Sequence, residues 1–319
     1  MNSVLAFFRQ RPYAFALLLC VVLLALNIAV TPSFADPARW PAILGTFAPF
    51  VLVGFACTPS VLSGGIDVSV GPLTTFVSVV FIAVLMPAGL GSWQFAIPIL
   101  LVLATAVGAI NGVLVAVVRL HPVVATVGML FILIGLSQTI ASNPVPASDR
   151  WSEGLARSIG IVPGAVITIG AAALIWFLLR QTAFVRNLLA TGDSDISAYG
   201  SGINVTMIRI LAYALGGLFA GIGGIALSAL LQSSESSLAT VYALLGLAAV
   251  VLGGTSLLGG RGGLLGTFLG ALSIYLIQQL LTVTNVQPNL IQFAYGAVLI
   301  VGVLLSATLL SARSERKNR

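Results

Sequence analysis

Charge is what this sequence has least of. Asp, Glu, Lys and Arg make up 7% of 319 residues, against about 25% in an ordinary soluble chain. Fourteen basic and eight acidic side chains cannot coat a soluble globule of this size, which excludes a cytosolic enzyme. The two cysteines, Cys20 and Cys57, both lie in apolar runs, so no disulfide framework of a secreted domain is present. There is one histidine, His121, just before Pro122, where a loop or helix-start role suits it. No Cys/His spacing fits a metal, no GxxxxGK[ST] loop fits a nucleotide, and no catalytic constellation is visible. Ion-driven carriers mark their pathways with intramembrane ionisable groups. Here Asp67 is the one acidic residue near membrane depth.

What is present is apolar. Hydrophobic residues reach 59%, with 34 Gly and 14 Pro, and the mean hydropathy is +1.12. Glycine and proline are commoner in transmembrane helices than in soluble ones. The chain reads as an all-α polytopic membrane protein, one permease-like unit over 1–319. A span needs about 20 mostly apolar residues. Ten candidates follow: 13–31, 41–61, 72–88, 94–118, 122–141, 160–179, 207–231, 242–258, 263–284 and 289–311. The third and eighth are short, and polar glycine-rich stretches (63–71 and 253–263) adjoin them. Such stretches suit broken backbone, which membranes tolerate only inside protein or beside water.

Lys/Arg bias sets orientation. With the N-terminus inside and all ten segments spanning, eleven basic residues fall inside and three (Arg39, Arg150, Arg157) outside. Both termini are then cytoplasmic. The net charge of +6 is scattered singly except in the tail 312–319, which carries Arg313, Arg316, Lys317 and Arg319. That tail reads as a cytoplasmic flank, and nucleic acid is not a partner. The first span, after Arg9 and Arg11, exceeds the usual length of a signal-peptide core, so an uncleaved anchor is the better reading.

A faint repeat relates Leu62 to Asp67 and Gly71 to Phe76 with Leu258 to Arg261 and Gly263 to Phe268, as expected of two halves, 1–159 and 160–311. Without an energy source of its own, a transporter needs a partner and an element that docks in it. The segment 180–206 is the candidate. Asp193 or Ser194 can N-cap a short helix and Asp195 suits its positive end. Gly200 and Gly202 can stop it, leaving Ile196, Ala198 and Tyr199 for a socket; an incidental solvated turn is the other reading. Uncharged polar residues inside spans are Asn27, Ser78, Thr105, Asn111, Ser137, Gln138, Tyr275, Gln278 and Gln279. They suit either a path for a neutral hydroxyl-rich solute, with Asn111, Gln138 and Gln278 as candidates, or interhelical hydrogen bonds. Asp67 either acts by its charge or caps the helix that follows.

The run Ser63-Gly64-Gly65-Ile66-Asp67-Val68-Ser69-Val70-Gly71 resembles the signature loop of ribose/xylose/galactose-type permeases of bacterial ABC importers. Ala190-Thr191-Gly192 through Ser201-Gly202-Ile203-Asn204-Val205, Ala248 to Ser256, and Gly259 to Gly270 agree in family order over nearly the whole chain. The resemblance implies an inner-membrane, multi-pass permease subunit, not an enzyme, importing a monosaccharide or sugar-like solute. Another small polar solute, such as a furanone-like autoinducer, a nucleoside or a polyol, is the alternative cargo. A gradient-driven secondary carrier is the alternative class. The implied partners are a cytoplasmic ATPase holding ATP and Mg, a periplasmic sugar-binding protein, and a second permease subunit in a homodimer or heterodimer. The resemblance implies no cofactor on this chain, and assigns coupling to Gly192, Asp193, Ser194, Asp195, Ala198, Tyr199, Gly202 and Asn204. Where the family has a Gly-Asn-Glu-Ala-Ala-like run, this chain has Gly192-Asp193-Ser194-Asp195-Ile196-Ser197-Ala198, so the glutamate is missing. With Pro59 and Pro72 flanking the signature loop, that departure marks a divergent branch.

Overall fold

Long apolar segments with no water to bond must satisfy their backbone internally, and a helix does so within one segment. The computed structural model describes residues 13–236 and 239–287, with single positions at 290, 293, 296, 297 and 300. It is mostly helical. In chain order, the helices are α1 (Ala14–Val30), α2 (Trp40–Leu62), α3 (Val70–Val79), α4 (Trp93–Ala116) and α5 (Pro122–Ile140). After them come the short α6 (Glu153–Ala156), α7 (Gly164–Gln181), α8 (Ala183–Asp193), α9 (Asp195–Gly200), α10 (Val205–Leu231), α11 (Ala239–Leu252) and α12 (Leu264–Val283). Among the described residues, six helices are long and apolar enough to cross a membrane, namely α2, α4, α5, α7, α10 and α12. Three expected spans match shorter helices: α1, α3 continued by a π-helical turn to Leu85, and α11. Of the expected tenth span, 289–311, only the single positions 290, 293, 296, 297 and 300 are described, and the tail 312–319 lies outside the described residues.

Burial sorts these helices into layers. Over an apolar stretch of 18 residues in each helix, the buried share is 78% for α10 and 67% for α2, against 22% for α5, so α10 and α2 are central and α5 is peripheral. Small residues allow that centre to close. A Cβ on Gly217 would run into the carbonyl of Ala104 on α4, and one on Gly224 would stand 2.6 Å from Val77 on α3. Interfaces of this kind are typical of membrane helices, where packing replaces the hydrophobic drive.

Neutral polar side chains stitch the layers. Ser228 on α10 donates to Ser78 on α3 at 2.8 Å, and Thr58 pairs with Thr267 at 2.8 Å. Asn27 donates to the Leu276 carbonyl at 3.0 Å, while Tyr275 meets Thr46 and Gln279, each at 2.6 Å. For Asn27, Ser78 and Tyr275 the interhelical reading therefore holds, whereas Gln279 bonds Tyr275 within α12 itself. Bonds of this type are worth about 0.6–2 kcal/mol each.

Two stretches differ from the sequence expectation. The sixth span begins at Gly164 and not at 160, because a small hairpin, β1 (Ser158–Ile159) with β2 (Val162–Pro163), turns at Gly160 with φ +62. The segment 180–206 holds two helices, where the sequence predicts one. The added one, α8, is N-capped by Thr182, whose hydroxyl accepts from the Phe184 amide at 3.1 Å.

Candidate functional site

Local chemistry defines the short helix α9. Ser194 is extended, and its hydroxyl accepts from the Ser197 amide, so it caps α9 with Asp195 in the first turn. The helix ends in two backbone hydrogen bonds, Ile203 N–H to Ala198 O and Gly202 N–H to Tyr199 O, with Gly202 left-handed at φ +80. That is the Schellman arrangement. Gly200 does not stop the helix; it is the last helical residue, because one left-handed residue suffices. Asn204 accepts from the Met207 amide at 3.0 Å and so caps α10. Ala198 is buried, whereas Ile196 and Tyr199 are 86% and 78% exposed.

The base of this helix pair meets the bundle backbone to backbone. A Cβ on Gly192 would overlap the Leu62 carbonyl and the Gly260 amide. One on Gly259 would stand 2.8 Å from the Gly192 oxygen, and Gly64 is left-handed at φ +81. The Gly260 N–H donates to Leu62 O at 3.1 Å. Three segments far apart in sequence (62–65, 192–193 and 258–260) thus share one knot. The two loops related by the sequence repeat, Leu62 to Asp67 and Leu258 to Arg261, touch each other there. One ion pair adds to it: Arg209 on α10 holds Asp195 of α9 at 2.6 Å. Neither Gly259, Gly260 nor Arg209 is among the site residues that the sequence suggests; the Gly259-Gly260-Arg261 run is the one signal available.

The signature segment forms a second polar relay. The Asp67 carboxylate accepts from the Ser69 amide at 2.9 Å and the Ser69 hydroxyl at 2.7 Å. Asn111 on α4 donates to that hydroxyl at 2.8 Å. Asp67 therefore folds the turn entering α3 and bonds the amide at its N-cap, Ser69, while Val70 and Gly71 open the helix itself. Thr126 on α5 donates to the Ile66 carbonyl at 3.2 Å and ties the segment to a third helix.

The three candidate path residues are not brought together. Asn111 is buried in the relay just described, Gln278 is half-buried on α12, and Gln138 is exposed on α5. Beside Gly64 and Gly65 opens a polar cleft of about 490 Å³, walled by the ends of α4, α5 and α10.

A glycine-packed bundle of apolar helices, stitched by neutral polar groups and carrying a capped helix pair at one end, defines a multi-pass membrane transport subunit. Residues 41–304 match the model of the family described as branched-chain amino acid transport system / permease component, and the chain belongs to that family. It is similar to the ribose import permease protein RbsC of Escherichia coli (strain K12), 32% identical with 91% of this chain and 92% of that one covered. The probable ABC transporter permease protein YphD of the same strain is 34% identical, over 95% and 92%. The autoinducer 2 import system permease protein LsrC of Salmonella choleraesuis (strain SC-B67) is 32% identical, over 94% and 87%. No solved structure matches the chain.

Proposed function

We propose that this chain is the membrane subunit of an ATP-driven importer for a monosaccharide or a similar small, neutral, hydroxylated solute. The observation that carries the reading is the contact of the α8–α9 pair with both repeat loops through Gly192, Gly259 and Gly260. A push on the pair has no side chain to bend before it reaches α2, α3 and α12. The exposed Ile196 and Tyr199 are the surface for a partner ATPase, which carries ATP and Mg; this chain binds neither. Substrate class is supported by the ribose and autoinducer 2 relatives and by the neutral polar residues buried in the spans.

In this reading ten segments span the inner membrane with both termini cytoplasmic, and α8–α9 face the cytoplasm, as the eleven-to-three split of basic residues supports. Two permease subunits, alike or paralogous, share the path, and a periplasmic binding protein delivers the solute. ATP-driven closure of the ATPase pair moves α9, Arg209 draws α10 with it, and the path opens outward; hydrolysis resets it. The test is co-purification with the ATPase, then ATP turnover in proteoliposomes with and without solute-loaded binding protein. Stimulated turnover is the expected result. Solute uptake that continues without any ATPase would overturn the reading.

A further inference from the structure

The cleft beside the glycine knot contains chemistry that moving a neutral solute does not need. It is lined by Arg119, His121, Thr206, Arg209, Tyr213 and Gly65, among others, and no carboxylate lines it among the described residues. The α5 N-terminus borders the cleft through His121, which gives the helix no side-chain cap, and Pro122, which has no amide hydrogen to offer. At the inner wall Tyr213 is fully buried, yet its hydroxyl has no hydrogen-bond partner. That hydroxyl lies over Gly65, where a Cβ would strike it. A buried unpaired hydroxyl is costly. Of the two arginines that line the cleft, Arg209 acts electrostatically on that hydroxyl, as does the buried Asp67 carboxylate, and guanidinium groups favour an acceptor with several oxygens. Arg209 has its own acidic partner, Asp195 at 2.6 Å, so a ligand in the cleft and α9 compete for one guanidinium.

We infer that this cleft is a binding site for a phosphate group, held by Arg119 and Arg209, with the Tyr213 hydroxyl donating to it. The phosphate belongs either to a soluble phosphate monoester or to a phospholipid headgroup; both offer the same oxygens. Resting on the importer reading, occupancy would draw Arg209 from Asp195 and loosen α9, so that an anion on this side slows transport.

Binding can be tested on the full chain alone, in nanodiscs, without an ATPase. A pentose 5-phosphate is titrated in zwitterionic phosphatidylcholine discs, with the neutral pentose as competitor. In parallel, phosphatidylglycerol retained by the chain is measured by native mass spectrometry. Saturable pentose-phosphate binding assigns a soluble ligand, and retained phosphatidylglycerol assigns a headgroup. Either must weaken about tenfold or more in Arg119→Asn, as expected for losing a charge-assisted bond. Asn tolerates the left-handed backbone of Arg119 (φ +64), so the fold is kept. Tyr213→Phe, which removes only the hydroxyl, must weaken it too. Equal competition by the neutral pentose, binding unchanged in both variants, or no phosphate bound in either arm would overturn the site. Because no ATPase is present, these outcomes are separate from failure of the transport reading.

Discussion

The Leu62 carbonyl accepts a hydrogen bond at 3.1 Å from the Gly260 amide, far along the chain, and Gly192 closes over both. With no side chain between them, the two repeat loops and the base of α8–α9 are in direct backbone contact. Most of what can be tested about this protein follows from that junction and the polar contacts around it.

Gly192→Val should disrupt the knot, since its Cβ meets backbone on two sides and nothing there can rotate away. Overpacking of this kind costs about 1–3 kcal/mol, occasionally more. A lower thermal midpoint and lost stimulation of ATP turnover are expected; unchanged values of both would rule out a close-packed junction.

The Arg209–Asp195 pair should matter more to coupling than to stability. Both side chains are partly exposed, and such pairs contribute roughly 0–1 kcal/mol. Asp195→Arg and Arg209→Asp should each reduce coupled turnover several-fold with little change in thermal midpoint, and the double swap should restore it. A double swap no better than the singles would show that the pair does not act as a link.

At Asp67 the hydrogen bonds, and not bulk, should decide. Asn keeps an oxygen for the Ser69 amide and hydroxyl, so Asp67→Asn should fold with nearly native stability. Asp67→Ala leaves a buried amide without its acceptor, at a cost of about 1–3 kcal/mol. Thermal unfolding in detergent measures both. Equal loss in the two variants would remove the hydrogen-bond account, whereas lost uptake by a stable Asp67→Asn would assign a role to the charge.

Ile196→Ser with Tyr199→Ser should leave the fold intact, because both side chains are mostly exposed. Surface changes of this sort usually stay within about 0.5 kcal/mol. Association with the ATPase should be lost in pull-down assays; an undiminished complex would mean that the partner docks elsewhere.

Much of the architecture is legible without the structure. The apolar runs 41–61 and 207–231 predict spans, and α2 and α10 follow within two residues. The cap at Ser194 is also readable, because it depends on neighbours a few positions away. Helix α8 escapes the apolar-run criterion although Thr182 and the spacing of Phe184, Val185, Leu188 and Leu189 announce it. A search for fully apolar spans overlooks a helix with a polar face. Polarity alone does not locate a path either. Gln138 meets that criterion and is exposed on α5, while Asn111 serves the Ser69 relay.

By itself, the sequence determined that this is a multi-pass helical membrane protein, since run length and scarcity of charge act locally and need no partner. It also determined local ends such as the Ser194 cap and the Gly202 stop of α9, which depend on residues a few positions apart. Only the tertiary structure decided which glycines touch and which polar groups pair: Gly64, Gly192, Gly259 and Gly260 in one knot, Asn111 with Ser69, Arg209 with Asp195. Most of those contacts join segments distant along the chain, and a glycine has no side chain whose pattern could announce its neighbour. Where backbones meet is set by how the helices pack against one another.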